Sequence, residues 1–250
     1  MKAHERDVIT DAMWLTLEPL MPKGTHRGKC RLFLEALLFK ARTGTFWHDM
    51  PERFGHRHAV WTKARHWSSK GWMEDIFSRV VKTVGADMTT ASLDSTVSKL
   101  HKSAHGGVKK NQAKGKTKGG WNTKIHALVD SCGRLLSCLL TPGNRNDVPF
   151  AEAVVGRLRP KALLADRAYD SGPFRVWLRN RRVRPVTPAQ STRKKKTRHD
   201  KILYRHRNVV ERWFGWAKEW KGIAMRSEKN DSMFLGTVLL VAIVHWLKNP

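Results

Sequence analysis

Acidic residues are scarce in this chain. Asp and Glu number 21 against 48 Lys and Arg in 250 residues, a formal net charge of +27. A charge so one-sided implies a polyanionic partner, nucleic acid before any other, and argues against a purely structural protein. Cysteine is nearly missing. Cys30, Cys132 and Cys138 are odd in number and form no CxxC, which excludes a disulfide framework; they read as small buried hydrophobes in a reducing cytosol. The chain has no glycine-rich GxxxxGK[ST] run, so a P-loop nucleotide site is excluded. Met1 to Asp7 is charged and no apolar run follows, so no signal peptide is expected. The longest mostly apolar segment, Phe234 to Leu247, is about 14 residues where a membrane span needs about 20. It is expected to be a buried core helix.

The most informative stretch that is present runs from 203 to 220. On a helical wheel Tyr204, Arg207, Glu211 and Lys218 fall within an arc of about 60°. Val209, Val210, Trp213, Trp216, Ala217 and Trp220 lie on the other side. Such a strip is either a solvated ionic face or a metal-binding carboxylate beside phosphate-holding cations. The choice depends on other carboxylates. Asp94 lies in the β-prone run Met88 to Val97, and Asp166 ends the apolar run Ala162–Ala165. Both read as aspartates on buried strands, where an unpaired carboxylate is costly. Two strand aspartates and a helix glutamate form an all-oxygen donor set. It suits Mg²⁺, with Mn²⁺ as a substitute, and lacks the His and Cys ligands of zinc sites.

Tyr204-x2-Arg207-x3-Glu211-x6-Lys218 has the Y-(2)-R-(3)-E-(6)-K spacing of insertion-sequence DDE transposases. Further motifs follow the same order: Thr10-Asp-Ala-Met-Trp, Arg42-Thr-Gly-Thr-Phe-Trp-His-Asp-Met-Pro-Glu-Arg-Phe-Gly, Leu93-Asp-Ser-Thr-Val, Lys124-Ile-His-Ala-Leu-Val-Asp, Leu140-Thr-Pro-Gly-Asn and Ala165-Asp-Arg-Ala-Tyr-Asp. The chain therefore resembles the insertion sequence 5 family of bacterial transposases along nearly its whole length. That resemblance implies cutting at element ends and joining them to target DNA, recognition of terminal inverted repeats, and a homodimer or higher oligomer pairing two ends. It also implies that Arg207 and Tyr204 position the DNA backbone near the cut, in the bacterial nucleoid of the cytoplasm and with no membrane.

Periodicity divides the chain near residue 85. Helices are predicted over 5–20, 30–43, 57–69 and 71–84, the third rich in Arg, Lys, His and Trp. This gives an all-helical N-terminal domain, 1–85, of helix-turn-helix-like character. From 86 to 250 the pattern is α/β (α+β). A strand runs through Asp94, a hairpin pairs 122–129 with 134–141 across Asp130-Ser-Cys-Gly133, and a helix spans 147–158. Strand 162–165, helix 171–181, strand 183–186 and the Glu211 helix complete it. This is the order of an RNase H-like mixed sheet flanked by helices, a fold that brings Asp94, Asp166 and Glu211 to one place. Asp130 and Asp147 read as turn and helix-cap residues.

Two basic stretches interrupt that order. Residues 101–120, with Lys114, Lys116 and Lys118, lack a hydrophobic period and are expected to be a mobile loop that orders on DNA. Residues 189–201 carry Arg193, Lys194, Lys195 and Lys196 and read likewise. Trp121, after the glycine-lysine run, is a candidate base-stacking residue. The predicted chemistry is two-metal phosphoryl transfer on double-stranded DNA, Asp94 bridging the ions, Asp166 and Glu211 each completing one shell, and Lys218 holding a phosphate. Two alternatives share these features: a catalytically silent DNA-binding derivative, and an RNase H-like nuclease without strand transfer.

Overall fold

The computed structural model describes residues 7–23, 27–106, 112–191 and 198–250. In chain order the elements are α1 (Asp11–Leu17), α2 (Arg27–Thr43), α3 (Arg57–Ser69), α4 (Trp72–Val84), β1 (Thr90–Leu100), β2 (Gly115–Thr117), β3 (Gly120–Asp130), β4 (Leu135–Pro142), α5 (Val148–Val155) and β5 (Ala162–Ala165). There follow α6 (Gly172–Asn180), β6 (Arg184–Val186), α7 (Lys201–Tyr204), α8 (Asn208–Glu219), α9 (Lys221–Ala224), β7 (Met225–Arg226) and α10 (Asp231–Lys248). They form two compact units. One gathers residues 1–85, 98–112 and 217–250; the other gathers 86–97 and 113–216.

The helical unit is built on α10, which packs against α2, α3 and α4. Met233, Phe234, Val238 to Val244 and Trp246 are all buried, so α10 is apolar on nearly every side and has to be enclosed. It is 18 residues long and apolar enough to be a membrane-span candidate by length and composition, yet most of it is buried against its neighbours. Here the structure differs from the expected domain division. The boundary at Gly85 is present, but residues 98–112 and 217–250 cluster with the N-terminal helices. The physical reason is complementary burial: α4 alone buries Met73, Ile76, Phe77 and Val80, and α10 supplies a surface for them. α3 and α4 are joined through Gly71, whose φ of +66° is the left-handed turn that glycine permits.

The second unit is the mixed sheet. β1, β5 and β6 run parallel, β3 and β4 are an antiparallel hairpin, and β3 neighbours β1. Every residue of β5 is buried, as a parallel strand covered on both faces requires. α5 covers β3 and β4, and α6 packs on β6. The expected RNase H-like order is present, with β2 as an addition.

β2 corrects the reading of 101–120 as a structureless loop. Gly115–Thr117 pairs with Gly120–Asn122, Ala104 and Ala113 are buried, and Thr123 Oγ1 donates to the Ala113 carbonyl at 2.7 Å. Residues 107–111 lie outside the described residues. Backbone pairing, which a hydrophobic-period argument does not see, supplies the order. Gly143 shows how tightly this edge is packed: a Cβ there would overlap the Asn122 side-chain amide. That explains a glycine in Leu140-Thr-Pro-Gly-Asn by close approach.

His126 on β3 gives a test of this packing. It is fully buried, its Nε2 lies 2.9 Å from Thr141 Oγ1, and its Nδ1 lies 3.8 Å from Asp147. Burial holds its pKa at about 4 against an ordinary 6.5, Asp147 opposing and Lys124 assisting. The unfolded chain therefore takes up the proton first as pH falls, and stability present at pH 7 is lost from pH 6.5 down to about 4. Chemical denaturation at stepped pH should show a loss of about 3 kcal/mol over that window attributable to this residue. His126→Asn should flatten the profile there; an unchanged slope would mean the imidazole is not held neutral.

Candidate active site

Parallel pairing of β1 with β5 fixes two of the carboxylates. Ser92 pairs with Leu164 and Leu93 with Ala165, so Asp94 and Asp166 follow the last matched pair on adjacent strands. Neighbouring strands lie about 4.8 Å apart. Ala91, Ser92 and Leu93 are buried, and Asp94 emerges where β1 leaves the interior. Its Oδ1 accepts from the Ser95 amide at 2.7 Å. Asp166 caps the 3-10 turn Arg167–Tyr169, Oδ1 accepting from the Ala168 amide at 2.9 Å. Each aspartate is thus oriented by backbone.

Glu211, in the first turn of α8, is linked to them by Arg207. One guanidinium nitrogen donates to Asp94 Oδ2 at 2.8 Å and another donates to Glu211 Oε1. Arg207 ends a 3-10 turn, Arg205–Arg207, between α7 and α8. The single uniform helix expected over 203–220 is therefore corrected: the winding tightens where Arg207 reaches β1. Tyr204 stays beside Arg207, its ring centroid 5.8 Å from the guanidinium, and also packs on Ala162, Leu164 and Val186. Lys218 stands two turns beyond Glu211 on α8, half-buried, and burial lowers its pKa.

Burial raises the Asp94 pKa, and Asp166 adds to this, while the Ser95 amide and Arg207 pull the other way. Arg207 is shifted upward: burial opposes its charge, but Asp94, Tyr204 and Glu211 outweigh it. Arg207 divides one positive charge between two carboxylates, and burial remains the larger effect on Asp94.

Two further groups belong to this neighbourhood. Tyr169 is 1% exposed, and burial, then Asp147, Asp94 and Asp166, hold its phenol protonated well above the ordinary range, with Ser95 partly offsetting. Asp147 stands at the N-cap of α5 as expected but makes no capping bond there; it accepts from Lys124 Nζ at 2.8 Å. Asp130 is the buried turn residue the sequence suggests, accepting from the Cys132 and Arg134 amides and the Arg134 side chain. The spacing of Ala165-Asp-Arg-Ala-Tyr-Asp was the available signal for Tyr169; nothing in the sequence singled out the Lys124–Asp147 pair.

Among the described residues no three His, Cys, Asp or Glu side chains are grouped closely enough to hold a metal ion. Asp94, Asp166 and Glu211 fit a hard cation by donor type, but Arg207 now bonds two of them. Of the predicted DNA-binding lysines, Lys116 and Lys118 are exposed on the β2–β3 hairpin and Lys114 is half-buried. Trp121, paired in register with Lys116, is 43% exposed. Arg193, Lys194, Lys195 and Lys196 lie outside the described residues.

A family model described as "Transposase DDE domain" matches residues 85–247. The chain belongs to the DDE-domain transposases. Residues 9–77 match a second model, "Putative transposase of IS4/5 family". The Brucella ovis "Putative transposase for insertion sequence element IS6501" is 33% identical over 128 residues, covering 50% of this transposase and 98% of that relative. The corresponding IS402 protein of Burkholderia cepacia is 34% identical over 119 residues, 43% of this chain and 54% of that one. By fold, this transposase superposes on the piggyBac transposase of a synaptic complex with hairpin DNA. The TM-score is 0.54 at 10% identity, with 96% of this chain and 70% of that one covered. The insertion-sequence family expected from the Glu211 helix signature, and the mixed α/β fold, both hold.

Proposed function

We propose that this transposase cuts DNA at the ends of an insertion sequence and joins them to target DNA, using Asp94, Asp166 and Glu211 to hold two Mg²⁺ ions. The observation that carries this reading is that Asp94 and Asp166 follow the last matched pair of two adjacent parallel strands, and that Arg207 bonds both Asp94 and Glu211, which are far apart in sequence. The donors are all oxygen, and burial makes the charge on Asp94 costly in a way that a bound cation would offset. When bound, the ions would activate the attacking oxygen and stabilise the leaving one.

The protein's own groups have separate tasks. Backbone amides of Ser95 and Ala168 aim the two aspartates. Tyr169 keeps a protonated phenol near them. Lys218, together with Lys116 and Lys118 of the hairpin, meets backbone phosphates. In the helical unit, Arg57, Arg65 and His66 stand exposed on α3 while Val60, Ala64 and Trp67 are buried, so one face of α3 is open to DNA.

The test is cleavage and joining of labelled DNA carrying element ends, with and without Mg²⁺. Metal-dependent joining supports the reading. Cleavage without joining assigns a nuclease, and binding without either a silent DNA-binding derivative. Affinity for duplex DNA should also fall steeply with salt, log K dropping by about 0.9 per phosphate neutralised. A flat salt response in a filter-binding series would remove the exposed lysines from the interface.

A further inference from the structure

We propose that Arg207 is a positioning residue with two alternating partners. In the DNA-free protein it holds the Asp94–Glu211 carboxylate pair; once DNA docks it moves to a backbone phosphate and frees the carboxylates for cations. The inference rests on the reading of Asp94, Asp166 and Glu211 as the cation site, and adds an order of events to it.

The geometry is specific. A guanidinium presents its donors as a rigid fork that matches carboxylate and phosphate equally well. Two of Arg207's nitrogens are engaged by two carboxylates that are 117 residues apart in sequence, one on β1 and one on α8. The Asp94 and Arg207 side chains are only 20% and 17% exposed, so this half of the clamp is shielded; Glu211, at 55%, faces solvent. A cation bound by Asp94 and Glu211 would compete with Arg207 for the same oxygens. Without Arg207 or a cation, Asp94 and Glu211 lose the positive charge they share, while Asp166 still repels Asp94. The clamp therefore both steadies the empty site and opposes its loading. Tyr204 braces the guanidinium: its ring is seated on Ala162, Leu164 and Val186 and lies under it.

A phosphate offers the guanidinium an equivalent partner. Linkage then requires that DNA and cation each tighten the other by one common factor, and that the factor shrink when the clamp is removed.

The experiment uses the full chain and Mn²⁺, followed by electron paramagnetic resonance and by thermal midpoint. Without DNA, Arg207→Gln should bind Mn²⁺ on the order of tenfold tighter than the unmodified protein, as site-to-site couplings of this kind give. It should also melt lower in EDTA yet gain more from added Mn²⁺. Adding Asp94→Asn to Arg207→Gln should abolish the gain, which locates the ion. Arg207→Lys, which keeps the charge but loses the fork, should tighten Mn²⁺ less than Gln does, and serves if the Gln variant does not fold. Mn²⁺ should raise affinity for a short duplex in the unmodified protein and raise it less in the variants. Mn²⁺ affinity unchanged or weakened in both variants overturns the proposal while leaving the cation site standing. No Mn²⁺ bound by any of the proteins, with or without DNA, overturns the cation site and the proposal with it.

Discussion

Asp94→Asn, Asp166→Asn and Glu211→Gln, made singly, should each lower metal-dependent strand cleavage and joining by about 10³-fold or more, with duplex binding retained. Each substitution keeps shape and removes one anionic oxygen donor. Losing a ligand from a site where ions stabilise the attacking and leaving oxygens removes several kcal/mol of transition-state stabilisation, and about 1.4 kcal/mol is tenfold in rate. The three should behave alike despite unlike surroundings. Asp94 is partly shielded by Arg207, Asp166 is a turn cap, and Glu211 is mostly exposed. Gel assays on labelled ends read the loss. A variant with unchanged rate would take its residue out of the site. Because Asp166 also accepts from the Ala168 amide, which an Asn oxygen still can do, a folding defect is not expected.

The second large effect is on stability. Lys40 of α2 and Glu228, just before α10, form an ion pair of 3.1 Å with side chains 6% and 3% exposed. Lys40 also donates to Ser227 Oγ at 2.9 Å and to the Thr45 carbonyl at 3.1 Å. Beside them Arg226, fully buried, donates to the carbonyls of Glu228, Gln112 and Lys229. Lys40→Met strands a buried carboxylate and should cost about 3–5 kcal/mol. For a chain of this size that lowers the melting midpoint by roughly 10 °C. Lys40→Met with Glu228→Leu should recover most of the loss, because a buried ion pair replaced by apolar groups of similar volume is often neutral. If the double variant is no more stable than Lys40→Met, the pair is not an isolated coupled unit.

The sequence was most legible where one local period governs an element. Strand 162–165, the hairpin of β3 and β4, and α3 and α4 follow their hydrophobic patterns closely. Asp94 and Asp166 could be placed because a carboxylate at the end of a buried strand demands a partner. What local patterns do not carry is partnership between distant segments. Arg226 looks like one of many surface cations until its three carbonyl acceptors are seen. α10 reads as a core helix, but nothing in its own residues says that α2, α3 and α4 enclose it. The 3-10 turn at Arg205–Arg207 likewise interrupts the helix where Arg207 bonds Asp94 on β1, which a uniform helical wheel does not show. Order in β2 comes from main-chain pairing, to which composition is blind.

The most direct test of a shared cation site is affinity cleavage of the polypeptide itself. Fe²⁺ substituted for Mg²⁺ in the full-length protein with DNA, then treated with ascorbate and peroxide, cuts backbone close to the bound ion. The account predicts cuts at three places far apart in sequence, beside Asp94, Asp166 and Glu211, all suppressed by excess Mg²⁺. Cuts confined to one of these segments, or Mg²⁺-sensitive cuts elsewhere, would contradict it.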